Sequence, residues 1–291
     1  MSQLESKLIH DNTQLWNSLQ GNLNHNSPVV DRIQAGKLVR IMGPCSLESA
    51  AQIEAALDVI GNDIDLVRAP GKKPRTRPVS ASGERLFEGI GIPEAVKVFQ
   101  EVQQRHPQVL FASEVMSGED LLLLNHALGL AWIGSRTQQQ ETCRNVGQAA
   151  LQEQVPVMVK NPMSADLELF LGMIENTILG AQNAVPILIC LRGTVPTTTT
   201  EKQEWRNVSN LDWIPVLKEV FPQLPIIVDP SHMLLKNKLN PEAVVDIVQQ
   251  GVDLGANGFI VEINTPSHPS KTDPGTDAEE TLNELTKRHL T

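Results

Sequence analysis

The sequence has little positive charge and no long apolar run. Its 34 Asp and Glu residues outnumber its 24 Lys and Arg residues, so the formal net charge is −10. General binding to nucleic acids or to anionic membranes is disfavoured, because both need a cationic face. No apolar stretch approaches the roughly 20 residues that cross a bilayer, and the polar amino terminus has no signal-peptide core. We therefore expect no nucleic-acid partner and no membrane partner.

Cysteine is scarce, and several catalytic signatures are missing. Cys45, Cys143 and Cys190 are odd in number and widely spaced, which favours free thiols or ligands in a reducing cytoplasm over a disulfide framework. No G-x-G-x-x-G turn follows the first apolar run, which disfavours an open doubly wound sheet. The P-loop, G-x-S-x-G and C-x-x-C patterns are also missing. Nucleotide hydrolysis, acyl transfer and a cysteine-rich zinc site are therefore disfavoured.

Eight short apolar runs recur along the chain, and nearly every one ends in a charged or metal-capable residue. They are Val39–Gly43, Asp65–Arg68, Val109–Glu114, Ala131–Ser135, Val157–Lys160, Ile187–Arg192, Ile226–Asp229 and Phe259–Glu262. Continuous apolar runs are typical of parallel strands that helices cover on both faces. Segments with helical apolar spacing alternate with the runs. This alternation predicts an α/β fold, a closed (β/α)8 TIM barrel, whose active site lies where the strands end.

Two parts are predicted along the chain. Residues 1–36 are polar and rich in Asn and Gln, and we interpret them as an N-terminal extension with a short helix and an irregular lead-in. Residues 37–291 form the catalytic barrel, with no internal repeat and no interdomain linker. Ser46 or Ser49 is expected to cap the first barrel helix, and Pro93 to open the next one.

Four candidate metal ligands follow the ends of three predicted strands. They are Cys45 after the first strand, His232 after the seventh, Glu262 at the end of the eighth and Asp273 eleven residues later. One thiolate, one imidazole and two carboxylates suit Mn²⁺, Fe²⁺, Co²⁺ or Zn²⁺. Each residue alone has an ordinary structural interpretation, because a buried cysteine usually packs and an aspartate often serves in a turn. Their shared position on one barrel rim favours a catalytic metal site.

Six cationic side chains form a second group, at strand ends and in the segment RAPGKKPRTRP. They are Arg68, Lys73, Arg75, Arg136, Lys160 and Arg192. Arginine binds phosphate or carboxylate bidentately, and lysine adds a compact charge. These cations would repel one another without anionic ligands, and two phosphates with one carboxylate would balance them. An ordinary surface position suits Lys72 and Arg77 better than it suits Lys160 and Arg192. Glu114 could pair within the cluster or place a water molecule.

The motifs that carry these residues resemble those of the type I 3-deoxy-D-arabino-heptulosonate 7-phosphate synthases, and they occur in the same order. The motifs are GPCS (43–46), KPRT (73–76), SEVM (113–116), WIGSRT (132–137), VKNP (159–162), LRG (191–193), DPSH (229–232) and E-x10-D (262–273). The resemblance covers about residues 37–280. Two stretches are particularly similar to the branch that is fused to a chorismate mutase, although no mutase-sized segment follows here.

The resemblance implies a reaction, a cofactor and an assembly. The family condenses phosphoenolpyruvate with erythrose 4-phosphate and releases phosphate, in the first step of the shikimate pathway. It implies that Cys45, His232, Glu262 and Asp273 hold a divalent metal, for which we expect Mn²⁺ ahead of Co²⁺, Fe²⁺ or Zn²⁺. It also implies a homo-oligomer, a dimer or a tetramer, in the cytoplasm.

The resemblance further implies roles for the substrate-binding residues. The phosphoenolpyruvate phosphate would be bound by Arg136, Lys160 and Arg192, and its carboxylate would lie near Arg68, Lys73 and Lys160. The aldose phosphate would be bound by Pro74, Arg75 and Thr76, with Ser135 also among the substrate-binding residues. Glu114 would help to position phosphoenolpyruvate and a water. We expect Lys73, Glu114 and His232 to act in catalysis.

Three alternatives stay open from the sequence. A related synthase could use another aldose phosphate, as 3-deoxy-manno-octulosonate 8-phosphate synthase does, although the KPRT loop favours the four-carbon acceptor over the KANRSS loop typical of that enzyme. A specialised paralogue could also use a different phosphorylated aldose. A non-catalytic phosphate-binding barrel is the third alternative, and it would be expected to have lost a ligand or a cation. All four candidate metal ligands and all six cationic side chains are present in this sequence.

Overall fold

Eight parallel strands close into a barrel in this computed structural model, which describes residues 27–61, 63–80, 82–235, 240–273 and 275–291. The strands are β1 Val39–Gly43, β2 Leu66–Arg68, β3 Phe111–Val115, β4 Leu128–Ile133, β5 Val157–Lys160, β6 Ile187–Leu191, β7 Ile226–Val228 and β8 Gly258–Asn264. Each strand pairs with the next, and β1 closes on β8 from Val39↔Gly258 to Gly43↔Glu262. The predicted (β/α)8 TIM barrel is confirmed.

A helix follows each of the eight strands. Within the described residues the α-helices are α1 Pro28–Gln34, α2 Ala50–Ile60, α3 Ile92–Arg105, α4 Gly118–Leu124, α5 Gln140–Glu153, α6 Leu167–Gly180, α7 Thr199–Glu204, α8 Trp213–Val220, α9 Pro241–Asp253 and α10 Ala278–Lys287. Helix α7 is an addition in the connection between β6 and α8. No helix of the described residues combines the length and apolarity needed to cross a membrane.

The core has two layers, one inside the barrel and one between the strands and the helices. Side chains from all eight strands fill the interior, among them Ile41, Trp132 and Ile260. Val29 of α1 belongs to the same interior cluster and is fully buried. Because α1 contacts β1 and β4, it adds an apolar side chain to the interior near the first barrel strand.

Helix α1 falls within the range that the sequence assigns to an N-terminal extension. Residues 28–34 are helical and contribute to the barrel core, whereas residues 1–26 of the predicted extension lie outside the described residues. The division into residues 1–36 and 37–291 therefore stays a prediction. Of the two caps considered for α2, Ser49 is the one observed, because its side chain accepts a hydrogen bond from the Gln52 amide at 3.2 Å.

A short ninth strand brings the chain back to the carboxyl end of β8. This strand, β9 Thr276–Asp277, pairs in parallel with Ile263 and Asn264. Gly275 makes the turn with a φ of +69°, a conformation that side chains rarely adopt, and it lies against the Glu262 carbonyl. The intervening loop is thereby held over the end of β8, and Asp273 lies in that loop.

Candidate active site at the carboxyl end of the barrel

Three of the four predicted metal ligands lie together. Cys45 is in the loop after β1, Glu262 is on β8, and Asp273 is in the loop that β9 returns to the barrel. Their ligand atoms all lie within 4.8 Å of one another. His232 is next to this group, in the 3-10 turn after β7, with its Nε2 atom 3.8 Å from Glu262 Oε1. We call Cys45, His232, Glu262 and Asp273 the ligand set.

The ligand set has the chemistry of a divalent cation site. Both carboxylate oxygens of Glu262 are buried, and neither accepts a hydrogen bond from any of the described residues. Arg68 Nη2 does lie 3.0 Å from Glu262 Oε1, but this is an ion pair without hydrogen-bond alignment. Buried carboxylate oxygens are normally hydrogen-bonded, so open lone pairs beside a thiol and a second carboxylate need a partner. A mixed set of sulfur, nitrogen and oxygen donors fits a transition-metal ion such as Mn²⁺.

The charge states within the set follow from burial and from neighbouring cations. Burial opposes ionisation of Glu262, but Lys73 and Arg68 hold its pKa well below the usual value. Burial, with the Arg192 charge, lowers the pKa of His232 to about 4, so its ring is neutral at pH 7, as metal binding requires. Burial and the Glu262 charge raise the pKa of Cys45, while Lys73 opposes the rise. The Cys45 thiol is therefore protonated until a cation binds it.

A cavity of about 270 Å³ opens beside the ligand set. All the predicted substrate-binding residues except Thr76 line it, together with His232, Glu262 and Asp273. The cations that line it are Arg68, Lys73, Arg75, Arg136, Lys160, Arg192 and Arg206. We call this space the rim cavity. So many cations in so small a volume indicate a ligand with several negative charges.

Lys160 is held at the inner end of the rim cavity by two neighbours. Its Nζ atom lies 2.6 Å from Asp229 Oδ2, and both side chains are buried. The same atom lies 4.8 Å from the centre of the Trp132 ring, over which Arg68 also sits at 5.5 Å. An aromatic face attracts cations, so Trp132 holds two like charges near each other. Asp229 is also 3.4 Å from His232 Nδ1 and thus joins the cavity to the ligand set.

The backbone at Arg192 is held by side-chain hydrogen bonds, and its guanidinium group is available to bind an anionic ligand. The Asn161 side chain accepts a hydrogen bond from the Arg192 amide at 2.7 Å, and Asn210 accepts one from the Gly193 amide at 2.8 Å. The guanidinium contacts the Met163 sulfur at 2.9 Å, and this neutral atom does not balance its charge. Burial lowers the pKa of Arg192, although Asp229 opposes this effect. A bound anion would compensate the buried charge.

The remaining predicted residues lie around the mouth and wall of the rim cavity. Arg136 donates to Thr76 Oγ1 at 2.8 Å, and Arg75 donates to the Phe87 carbonyl at 2.9 Å. Glu114 packs against Gly134 so closely that any side chain there would collide with its carboxylate. Ser135 Oγ is buried and has no hydrogen-bond partner among the described residues, so it is available to a ligand.

Four residues of this site are not predicted from the sequence. Asp229 ends an apolar run and begins the motif DPSH, and Trp132 begins the motif WIGSRT, but the sequence assigns neither residue a role at the site. Asn161 lies in the motif VKNP but is likewise assigned no role, because the backbone hydrogen bond that it accepts comes from Arg192, 31 residues further along the chain. Arg206 directly follows the segment VPTTTTEKQEW, which shows no interpretable pattern, and its Nη2 atom is 2.5 Å from Asp273 Oδ2. The position of Asp229 at the end of an apolar run is the one signal among these four residues that indicates a place at the barrel rim.

Comparisons with known proteins agree with this geometry. A phospho-2-dehydro-3-deoxyheptonate aldolase (DAHP synthase) from Thermotoga maritima superposes with a TM-score of 0.69 at 24% identity, covering 87% of this chain and 69% of its own. A truncated form of 3-deoxy-D-arabino-heptulosonate 7-phosphate synthase from the same organism gives 0.64 at 22% identity, covering 87% of both chains. Identities this low show the fold alone.

Sequence comparison assigns the family. No significantly similar sequence was found among curated proteins. The family model described as the DAHP synthetase I family matches residues 22–287, which is most of the chain. The chain therefore belongs to the DAHP synthetase I family.

Proposed function

We propose that the rim cavity is where this chain performs its family's reaction. That reaction condenses phosphoenolpyruvate with erythrose 4-phosphate, giving 3-deoxy-D-arabino-heptulosonate 7-phosphate and inorganic phosphate at the start of the shikimate pathway. One observation carries the proposal: a set of metal-capable donors shares a wall with a cavity lined by seven cations. The substrates carry two phosphates and one carboxylate, which is the charge that such a lining can balance.

Phosphoenolpyruvate would bind at the inner end of the cavity. Lys160 and Arg192 are buried there, and Arg136 at the mouth completes a three-cation site for its phosphate. Its carboxylate would lie near Arg68, whose buried Nη1 atom has no hydrogen-bond partner among the described residues. Because Asn161, Asp229 and Trp132 already fix these cations, little reorganisation is needed when the anion arrives.

The aldose would approach from the outer side. Pro74 and Arg75 line the cavity, and Thr76 accepts a hydrogen bond from Arg136, which supports a role for this segment in binding the aldose phosphate. Lys73 lies between the two ends, with Nζ 2.8 Å from Cys45 Sγ and 3.5 Å from Glu262 Oε1. Its ammonium group is placed to donate a proton to the aldehyde oxygen as the carbon–carbon bond forms.

The residues then support two successive steps. C3 of phosphoenolpyruvate attacks the aldehyde carbon while Arg68 and Lys160 hold the carboxylate and the phosphate of phosphoenolpyruvate in position. The aldehyde oxygen takes the proton of Lys73, and C2 is left with a positive charge. Water adds at C2, with Glu114 placed to orient it, and phosphate leaves from the resulting hemiketal. Holding two anionic substrates face to face is unfavourable in water, so positioning by the fixed cations contributes much of the rate.

The donors present fit a divalent metal, and we propose Mn²⁺ held by Cys45, His232, Glu262 and Asp273. When bound, such an ion supplies Lewis-acid polarisation of the aldehyde oxygen. The open lone pairs of Glu262 and the neutral ring of His232 support this assignment.

The test measures phosphate release and Mn²⁺ binding in parallel. Wild-type protein, stripped of metal and reloaded with Mn²⁺, is expected to release phosphate from phosphoenolpyruvate with erythrose 4-phosphate faster than with arabinose 5-phosphate. Glu262→Gln should lose both Mn²⁺ binding and turnover, because it removes a charged ligand. Glu94→Gln, which makes the same change on exposed α3, is the matched control. Full turnover by metal-stripped Glu262→Gln, or a preference for arabinose 5-phosphate, would contradict the proposal.

We also propose that the chain acts in the cytoplasm as a homo-oligomer, a dimer or a tetramer. The family resemblance supports the oligomer, and three free, buried thiols support a reducing compartment. Sedimentation equilibrium should return two or four times the 31.9 kDa chain mass, and a monomer at micromolar concentration would contradict the oligomer.

A further inference from the structure

We propose, resting on the function proposed above, that Arg206 couples the metal site to binding of the phosphorylated aldose. Arg206 would pair with Asp273 before a divalent cation binds. It would then exchange this carboxylate for the phosphate of the aldose once the cation takes Asp273.

The exchange follows from a shared oxygen atom. Arg206 Nη2 lies 2.5 Å from Asp273 Oδ2, and the same oxygen lies 3.6 Å from Cys45 Sγ within the ligand set. A divalent cation bound to this carboxylate would repel the guanidinium and compete for its lone pairs. The two positive charges therefore exclude each other at Asp273, and the guanidinium is displaced when the cation binds.

The pair is placed where it can be broken. The side chains of Arg206 and Asp273 are 30% and 31% exposed, whereas the Lys160–Asp229 pair deeper in the site is 7% and 0% exposed. Solvent-exposed ion pairs contribute little to folding stability, so breaking the Arg206–Asp273 pair costs little free energy. The deeper pair is held permanently, and the pair at the mouth is the one that can change partners.

The backbone around Arg206 stays fixed while the head group moves. The Arg206 amide donates to the Leu234 carbonyl at 2.9 Å, and the Asn207 amide donates to the His232 carbonyl at 3.1 Å. Val208 and Thr194 exchange two backbone hydrogen bonds at 2.9 and 3.0 Å. The side chain is thus anchored beside His232, and only its torsion angles can change.

A released Arg206 would find a suitable partner in the same cavity. The Arg206 side chain lines the rim cavity, as does Arg75, which we assign to the aldose phosphate. The planar fork of an arginine matches a phosphate group bidentately. Cation binding and aldose binding must then favour each other, and by equal factors, because linkage between two sites is reciprocal.

The experiment measures Mn²⁺ affinity by the electron paramagnetic resonance signal of free Mn²⁺. Full-length wild type, Arg206→Gln and Arg85→Gln are each titrated without phosphoenolpyruvate, so that no turnover occurs, with and without saturating erythrose 4-phosphate. Arg85 is 83% exposed and lies outside the rim cavity, so Arg85→Gln is the control for the same loss of charge.

Two results are expected. Without the aldose, Arg206→Gln should bind Mn²⁺ about fivefold more tightly than Arg85→Gln, because a competitor for Asp273 is gone. Erythrose 4-phosphate should tighten Mn²⁺ binding about fivefold in wild type and in Arg85→Gln, and this factor should fall to about one in Arg206→Gln. Arg206→Lys keeps the charge without the fork, so it should retain wild-type Mn²⁺ affinity while the aldose factor falls. If Arg206→Gln does not fold, the comparison of Arg206→Lys with wild type provides the test.

The outcomes separate this inference from the proposed function. Unchanged Mn²⁺ affinity and an unchanged aldose factor in Arg206→Gln would overturn the coupling while leaving the metal site intact. A wild-type protein that binds no Mn²⁺ would instead overturn the ligand set itself.

Discussion

Buried charges in this barrel are held in groups that balance each other. Glu262 faces Arg68 and Lys73, and Asp229 faces Lys160 and His232. An isolated charge in the interior would be strongly unfavourable, so every member of a group is needed to balance the charge of the others. Removing one member should therefore affect both stability and ligand binding.

Asp229→Asn is expected to reduce both stability and phosphoenolpyruvate affinity. The substitution leaves the buried Lys160 ammonium without its counter-charge and removes the partner of His232 Nδ1. Breaking a buried pair costs about 3–5 kcal/mol of unfolding free energy. Urea denaturation measures that loss, and calorimetry with metal-stripped protein measures the affinity for phosphoenolpyruvate.

Asp65→Asn is a matched control for that prediction. Asp65 is also nearly buried, and it forms an ion pair with Arg40. Arg40 lies near the start of β1, at the opposite end of that strand from the rim cavity. Its loss should destabilise the fold without changing phosphoenolpyruvate affinity. Equal loss of affinity in both variants would mean that Asp229 acts through stability alone.

At the scale of elements, α5 and α6 pack closely against each other. The two helices meet at small residues, since Gly147 lies against the Thr177 carbonyl and Gly180 against the Arg144 carbonyl. A Cβ atom at either position would collide with backbone, which cannot move as a side chain can. Helix α6 also packs against β5, which carries Lys160.

Two glycine-to-alanine substitutions in these helices should have opposite effects. Gly147→Ala is expected to destabilise the protein by about 1–3 kcal/mol, because overpacking forces the helices apart. Gly172→Ala in α6 meets nothing within 4 Å, so it should stabilise by about 0.5–1 kcal/mol through helix propensity. Chemical denaturation of both variants measures the difference, and changes of the same sign would contradict the packing argument.

The strands were predictable as elements, and one helix was not. Val39–Gly43 and Val157–Lys160 agree residue for residue with their apolar runs, because a strand covered on both faces needs unbroken apolar sequence. Helix α7 was missed although Thr198 and Glu201 form a capping box, which is a readable signal. All residues of α7 are at least partly exposed, so no apolar periodicity revealed it.

At the scale of the whole molecule, metal binding should be visible as thermal stability. Mn²⁺ at about one hundred times its dissociation constant should stabilise the fold by about 2.7 kcal/mol, which raises Tm by about 4 °C in a chain of this size. Scanning calorimetry with Mn²⁺ and with EDTA measures the shift. His232→Ala should show no shift, and a shift of wild-type size in that variant would contradict the ligand set.

The sequence by itself determined the barrel and the chemical types of residue at its active end. Apolar period and strand–helix alternation are local properties, and strand ends in such a barrel share one rim, so Cys45, Glu262 and Lys160 could be placed there. Only the tertiary structure decided which charges touch. Asp229 meets Lys160 across 69 residues, and Arg206 meets Asp273 through a loop that β9 holds in place. Such contacts depend on the path of loops and on side-chain direction, which no spacing along the chain encodes.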